Sequence, residues 1–180
     1  MTVVEAIGRR RSVREYSDRP IPAGTMERLI ESLRMAPSAC NNQPWKFILI
    51  RNPENRMKVA AICRDQKWMA GAPLIVAACG IPEAAYKKMG GYGNSVDIDL
   101  AIAMDHLTLV AAEEGLGTCW IGAFNEQALK EHLGVPANVK IVVLTPVGYP
   151  AGQIDLAQPP DKKRRPRADI FSDEKWSASN

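Results

Sequence analysis

The chain has 180 residues, enough for one domain with a sizeable core. Hydrophobic residues make up 46%, charged residues 24%, and the net charge is +3, ordinary values for a soluble globular protein and too weakly basic to argue for nucleic acid. No apolar run approaches the ~20 residues of a membrane span. Glu5 and Arg9 interrupt the first apolar residues, so no secretory signal is expected. Cys40, Cys63, Cys79 and Cys119 are scattered without a Cys-x-x-Cys, which predicts reduced, mostly buried thiols in a cytoplasmic protein.

Thr2 with Glu5 three residues later reads as a capping box for a helix over 3–8. Directly behind it, Arg9 to Arg14 packs four arginines and Ser12 into six residues. Guanidinium and hydroxyl groups hold phosphate or another planar anion. A solvated basic face is the better reading of an arbitrary charge run. The far end of the chain tilts the balance, because a second run, Asp161-Lys162-Lys163-Arg164-Arg165-Pro166-Arg167, stands there. The two runs are expected to meet around one anionic ligand.

Pro20 and Pro22 break the chain before a helix over 25–35, whose Met26, Leu29, Ile30 and Leu33 share one face. Residues 37–44 form a loop with two prolines and three amides, leading into a strand over 45–50. Amides in such a loop usually satisfy local backbone groups. Asn52-Pro53 starts the next helix, cap then N1 proline. Leu74–Cys79 is continuously apolar, a strand buried on both faces. The loop 82–93 carries Tyr86, Tyr92 and three glycines and reads as a lid.

A helix over 94–114 is apolar almost all round, and burying ~30 Å of it in so small a chain calls for a partner. Gly115 ends it, and a short strand follows over 118–121. Asn125 caps a further helix with Phe124 and Leu129 as its staple, and Gly134 stops it. The last core strand spans 139–147. Residues 151–180 are polar and proline-rich and cannot build a core of their own. Strands alternating with helices give a three-layer α/β reading, without repeats or a second domain.

Other chemistries find little purchase. Val96 occupies the third glycine position of the dinucleotide fingerprint that Gly91-Tyr92-Gly93 could begin. His106 and His132 lack metal-ligand spacing, so no metal is expected. His106 reads as a core or interface histidine, and nothing around Cys119 suggests the lowered thiol pKa that a Cys119–His106 pair would need.

Several stretches together resemble the nitroreductase family of flavin-dependent oxidoreductases. They are Arg10-Arg11-Ser12-Val13-Arg14, the loop Pro37-Ser38-Ala39 with Asn42-Gln43-Pro44-Trp45, Gln66 before Pro73, Gly115 to Gly122, and Lys162-x-Arg164 before Pro166. The resemblance implies an α/β (α+β) three-layer sandwich, with a central mixed sheet flanked by helices, in an intertwined homodimer. One domain would span 1–180, with 151–180 as an extended arm. Each of two interface sites would bind FMN. Arg10, Arg11, Ser12 and Arg14 would hold its phosphate, ribityl and pyrimidine parts, and Lys162 and Arg164 would clamp the phosphate. Pro37, Ser38, Ala39 and Asn42 would arrive from the other subunit. Gln66 falls where many members carry an amide, and Ile121 and Gly122 would present backbone groups near flavin N5.

Ala39 replaces a common serine, His106 a frequent asparagine, and the lid over 84–93 is short. The implied activity is ping-pong transfer from NADH or NADPH to nitroaromatics, quinones or related small acceptors. Reductive dehalogenation or flavin breakdown on the same scaffold, a non-catalytic flavin carrier and a nucleic-acid binder using the basic runs are the competing readings.

Overall fold

The computed structural model describes residues 1–152, 154 and 156–177. Its elements run α1 (Val3–Arg9), α2 (Ala23–Arg34), β1 (Trp45–Ile50), α3 (Pro53–Ile62), β2 (Leu74–Gly80), α4 (Val96–Glu113), β3 (Gly117–Thr118), α5 (Glu126–Leu133) and β4 (Lys140–Gly148). The capping signals act as written. Thr2 and Glu5 close their box, and Asn52 and Asn125 accept the N–H groups of Asn55 and Ala128. Gly134 ends α5 at φ +67°, a left-handed turn that glycine adopts without strain.

The sheet has the order β1-β2-β4-β3. Its four strands pair antiparallel throughout, where a mixed sheet was expected. Strand–helix alternation suggests parallel crossovers. Here α3 and the turn Lys67–Gly71 instead return the chain so that Ile75 faces Ile50 and Gly80 faces Trp45. Parallel pairing among the described residues is confined to the bridge between Ser12 and Thr118. β2 lies inside the sheet, which is why all seven of its residues are buried.

α2 and α4 cover one face, with Leu29, Leu33, Leu100, Met104 and Leu107 against Val76 and Val143. α3 and α5 cover the other, with Val59 and Leu129 against Ile75 and Leu144. Each such side chain contributes roughly 1.5–3 kcal/mol when fully buried, so these two clusters hold the three layers together.

α4 buries only its inward side. Ile98 is 50% exposed, and Ala101, Ile102, Leu109 and Val110 are partly open. β3 stops at Thr118, earlier than expected. Cys119 and Trp120 leave the ladder, and Ile121 rejoins it at Leu144. All four cysteines are free. Cys63 and Cys79 are buried, which pushes their thiols up to about 12 and about 11. Cys40, unlike the other three, is exposed. The described part of the arm over 151–180 is mostly exposed, with one short turn at Arg167–Asp169. Gln153, Asp155 and residues 178–180 of that arm lie outside the described residues. Among the described residues no helix is long and apolar enough to cross a membrane.

Candidate functional site

Val13 pins the arginine-rich stretch. It is 1% exposed, and its N–H donates to the Thr118 carbonyl at 2.9 Å. On either side, Ser12 bridges Thr118, and the Glu15 carbonyl accepts from Ala151 N–H at 3.0 Å. The Tyr16 hydroxyl donates to the Val13 carbonyl at 2.7 Å. Burying a valine contributes roughly 1.5–3 kcal/mol, so residues 10–14 lie as a strap along β3 and are not a loose solvated face. Gly117 makes room for it, because a Cβ there would come within 2.5 Å of the Val13 side chain.

The tail crosses this strap. Arg11 donates to the Gln158 carbonyl. Lys162 is held below the usual lysine range, first by desolvation and then by the charges of Arg10, Arg164 and Arg11. Four cations from opposite ends of the chain thus share one locality. None of them forms an ion pair with a carboxylate among the described residues. Like charges gathered without a counter-ion raise one another's free energy, and an anion between them reverses the sign of that effect. The residues therefore fit a phosphate group. Ser12 and Arg14 stand on the same strap, both exposed.

The loop carrying Pro37, Ser38, Ala39 and Asn42 is elsewhere. The Ala39 N–H donates to Asp99 Oδ1 at 3.0 Å, and Ser38 Oγ accepts from Gln43 N–H at 2.9 Å. Cys40, Asn41 and Gln43 are held at φ +53°, +53° and +49°, a left-handed conformation rare for side-chain-bearing residues. Asp99 lies near the start of α4, whereas β3 follows its end, and Asp99 and Glu113 are ~21 Å apart along the helix axis. One chain therefore places the loop and the strap at opposite ends of α4.

Ile121 and Gly122 part company. Both backbone groups of Ile121 are spent on Leu144, at 2.8 and 3.1 Å, so that residue has no free donor to offer a ligand. Gly122 N–H has no partner among the described residues, and the space beside its α-carbon is open. The Gln66 amide donates to the Cys63 carbonyl at 2.9 Å, a local bond. Cys119 packs in the cluster beneath α3 and α5, while His106 stands on α4 across the sheet, so the two form no pair.

A further polar group went unread in the sequence. Asp99 is 2% exposed and Ser95 is fully buried. Ser95 Oγ donates to Asp99 Oδ2 at 2.7 Å and accepts from Tyr86 N–H at 3.2 Å. Ser95 N–H donates to the Tyr86 carbonyl at 2.9 Å. Between Tyr86 and Ser95 the lid folds into a tight hairpin closed by Met89 and Gly93, with Tyr92 at its tip 86% exposed. A serine four residues before an aspartate was the only signal, and it looks like any helix start.

Comparison with known proteins gives a consistent result. A protein of Archaeoglobus fulgidus whose name offers NADH dehydrogenase/NAD(P)H nitroreductase is 31% identical over 93% of this chain and 94% of its own length. The FMN reductase [NAD(P)H] of Bacillus subtilis is 27% identical over 83% of this chain and 66% of its own. Human iodotyrosine deiodinase 1 is 26% identical over 93% and 66% respectively. Among solved structures, a nitroreductase family protein of Clostridium difficile superposes with a TM-score of 0.85 at 28% identity, covering 98% of this chain and all of that one. The pattern of the Nitroreductase family matches residues 7–83 and 63–149, a span that takes in the strap, the loop at Asp99 and β3. With strap, sheet and relatives in agreement, the chain belongs to the nitroreductase family.

Proposed function

We propose that this protein is an FMN-dependent oxidoreductase that takes electrons from NADH or NADPH and passes them to nitroaromatic, quinone or related acceptors. The observation that carries the reading is the cluster of Arg10, Arg11, Lys162 and Arg164 without a carboxylate partner. It suits a terminal phosphate, and the sequence offers no glycine-rich turn for a pyrophosphate, which favours FMN over FAD. Ser12 and Arg14 would lie along the ribityl and pyrimidine parts, and Gly122 N–H would face the ring. Bound FMN supplies the electron transfer between nicotinamide and acceptor. The chain's own residues hold the phosphate, orient the ring and, under a small lid, admit one planar ligand at a time.

A homodimer completes the site. The outward side of α4 leaves Ile98, Ala101 and Ile102 open between the exposed Asp97 and Asp105, and a second copy would bring Pro37, Ser38, Ala39 and Asn42 to a strap that they cannot reach within one chain. Four unpaired cysteines favour the cytoplasm. We read 1–180 as one domain with 151–180 as its arm.

The test is the absorption spectrum of the purified protein, followed by acid release of the chromophore. Flavin bands and co-elution with FMN are expected, and FAD or a colourless, flavin-refusing protein would sink the reading. NADH or NADPH oxidation with a quinone should then give parallel double-reciprocal lines, and intersecting lines would contradict alternate binding at one face. The deiodinase relative gives the dehalogenation reading its support. Iodide release from iodotyrosine at rates above quinone reduction would favour it.

A further inference from the structure

We propose that Asp99 and Ser95 form a buried joint that seats the loop at Ala39 and the lid over 86–95 as one unit, which makes them positioning residues for the electron acceptor. The inference rests on the reading above, in which Pro37–Asn42 faces FMN and the lid shapes the acceptor site.

The geometry is closed on every side. Each oxygen of the Asp99 carboxylate accepts one hydrogen bond, from Ala39 N–H at 3.0 Å and from Ser95 Oγ at 2.7 Å. Ser95 Oγ in turn accepts from Tyr86 N–H, and the Ser95 backbone N–H returns a bond to the Tyr86 carbonyl. A buried carboxylate needs such donors, and its place in the opening turns of the eighteen-residue α4 adds the favourable end of the helix dipole. Ser95 stands at the N-cap position yet its side chain caps no backbone N–H. Its hydroxyl is spent on linking the two segments, which is the opposite of what a serine there ordinarily does.

The other bonds of the two segments are mostly internal to each, apart from Ile81 N–H donating to the Pro44 carbonyl at 2.8 Å where their bases meet. Past Ser95 the lid is closed by Met89 and Gly93, and it turns through Gly90 and Gly91 at φ +56° and +74°. The loop on the other side is held in left-handed backbone at Cys40, Asn41 and Gln43, and such conformations persist only where the surroundings over-determine them. Asp99 is the side chain that meets this loop from α4. Tyr92 at the lid tip and Ala39 in the loop are therefore referred to one rigid point. A shift of either is felt by the other.

Three variants separate the two arms. Ser95→Ala removes the side-chain bonds of the lid arm, leaves the Ser95 N–H on the Tyr86 carbonyl, and keeps the bond between Ala39 and Asp99. Asp99→Ala removes the Ala39 bond and the carboxylate that orients Ser95 Oγ, while Tyr86 N–H keeps its Ser95 acceptor. Asp99→Asn keeps the Ala39 bond through its oxygen and reverses the Ser95 one, its NH₂ donating to Ser95 Oγ, which leaves the buried Ser95 hydroxyl proton without the acceptor it had. Three measurements read them: amide exchange at Tyr86 and Ala39, FMN Kd by fluorescence titration, and KM and kcat for p-benzoquinone. Ser95→Ala should speed exchange at Tyr86 alone, raise KM about tenfold, the effect of one hydrogen bond, and leave FMN Kd unchanged. Asp99→Ala should speed exchange strongly at Ala39 and less at Tyr86, whose Ser95 acceptor remains, and weaken FMN binding as well. Asp99→Asn should keep Ala39 exchange and FMN Kd close to those of the unsubstituted protein.

Unchanged KM in Ser95→Ala, or unchanged FMN Kd in Asp99→Ala, overturns the proposal, and so does an Asp99→Asn protein as impaired as Asp99→Ala. Should Asp99→Ala fail to fold, Ser95→Ala and Asp99→Asn decide alone. If the unsubstituted protein refuses flavin, the functional reading fails by itself, and the exchange rates still test whether the joint exists.

Discussion

Lys162 carries a charge that its surroundings resist. Partial desolvation and the three neighbouring guanidinium groups all lower its pKa. The sign follows: in the ligand-free protein the charged lysine opposes folding, and that penalty grows as pH falls through the lowered pKa. A bound phosphate turns the same four cations into partners. Charge-assisted hydrogen bonds contribute ~1.5–3 kcal/mol each, so Lys162→Ala with Arg164→Ala should weaken FMN binding by about two or more orders of magnitude. Riboflavin, which has no phosphate, should bind both forms alike, and fluorescence titration with the two flavins checks this. If the double variant keeps full FMN affinity, the strap must hold the phosphate unaided. These residues were legible in the sequence because charge runs announce themselves. Asp99 was not, because an acidic residue in the first turns of a helix is ordinary. Nor was the loss of Ile121 as a donor, since only its pairing with Leu144 in space spends those groups.

At the scale of elements, caps and strand cores could be read almost to the residue. Their signals are local: Thr2 with Glu5, Asn52 before Pro53, Asn125 with Leu129, and the apolar run of β2. Strand direction was not legible, because it is decided by how α3 and its following turn return the chain. The strap and β3 give this scale its test. Gly117→Ala places a methyl group 2.5 Å from a Val13 methyl. Overpacking of this kind costs ~1–3 kcal/mol, which lowers Tm by about 3–9 °C in a chain of this size. It also moves the strap, so FMN affinity should fall with stability even though no ligand-facing residue has changed. Calorimetry and flavin titration on one preparation measure both, and a Tm loss with unchanged FMN Kd would detach the strap from the site.

For the whole molecule, α4 is the axle. Its inward side holds the core, its ends carry the loop and the strap, and its outward side leaves Ile98 half exposed. The apolar pattern of 94–114 made the need for a cover legible in the sequence. The half that one chain already buries was not. Sedimentation at micromolar concentration should give a dimer. Ile98→Glu should dissociate it and weaken FMN binding together, because a lone chain keeps the strap and loses the second copy's loop. A folded monomer with full FMN affinity would contradict the shared site.

The exposed run from Lys162 to Arg167 has one more consequence, for how long the protein lasts. Proteases that cut after basic residues find consecutive targets there, with Pro166 shielding only the bond behind Arg165. A cut after Lys162 or Lys163 removes Arg164 from the proposed clamp and so weakens cofactor retention for good. Ligand bound against this segment withdraws it from attack in proportion to occupancy. Brief trypsin treatment should therefore trim the flavin-free protein near Lys162–Arg164 and spare the loaded one, with intact mass reporting the cut. Turnover would then follow flavin supply, and a cell short of the vitamin would clear idle copies first.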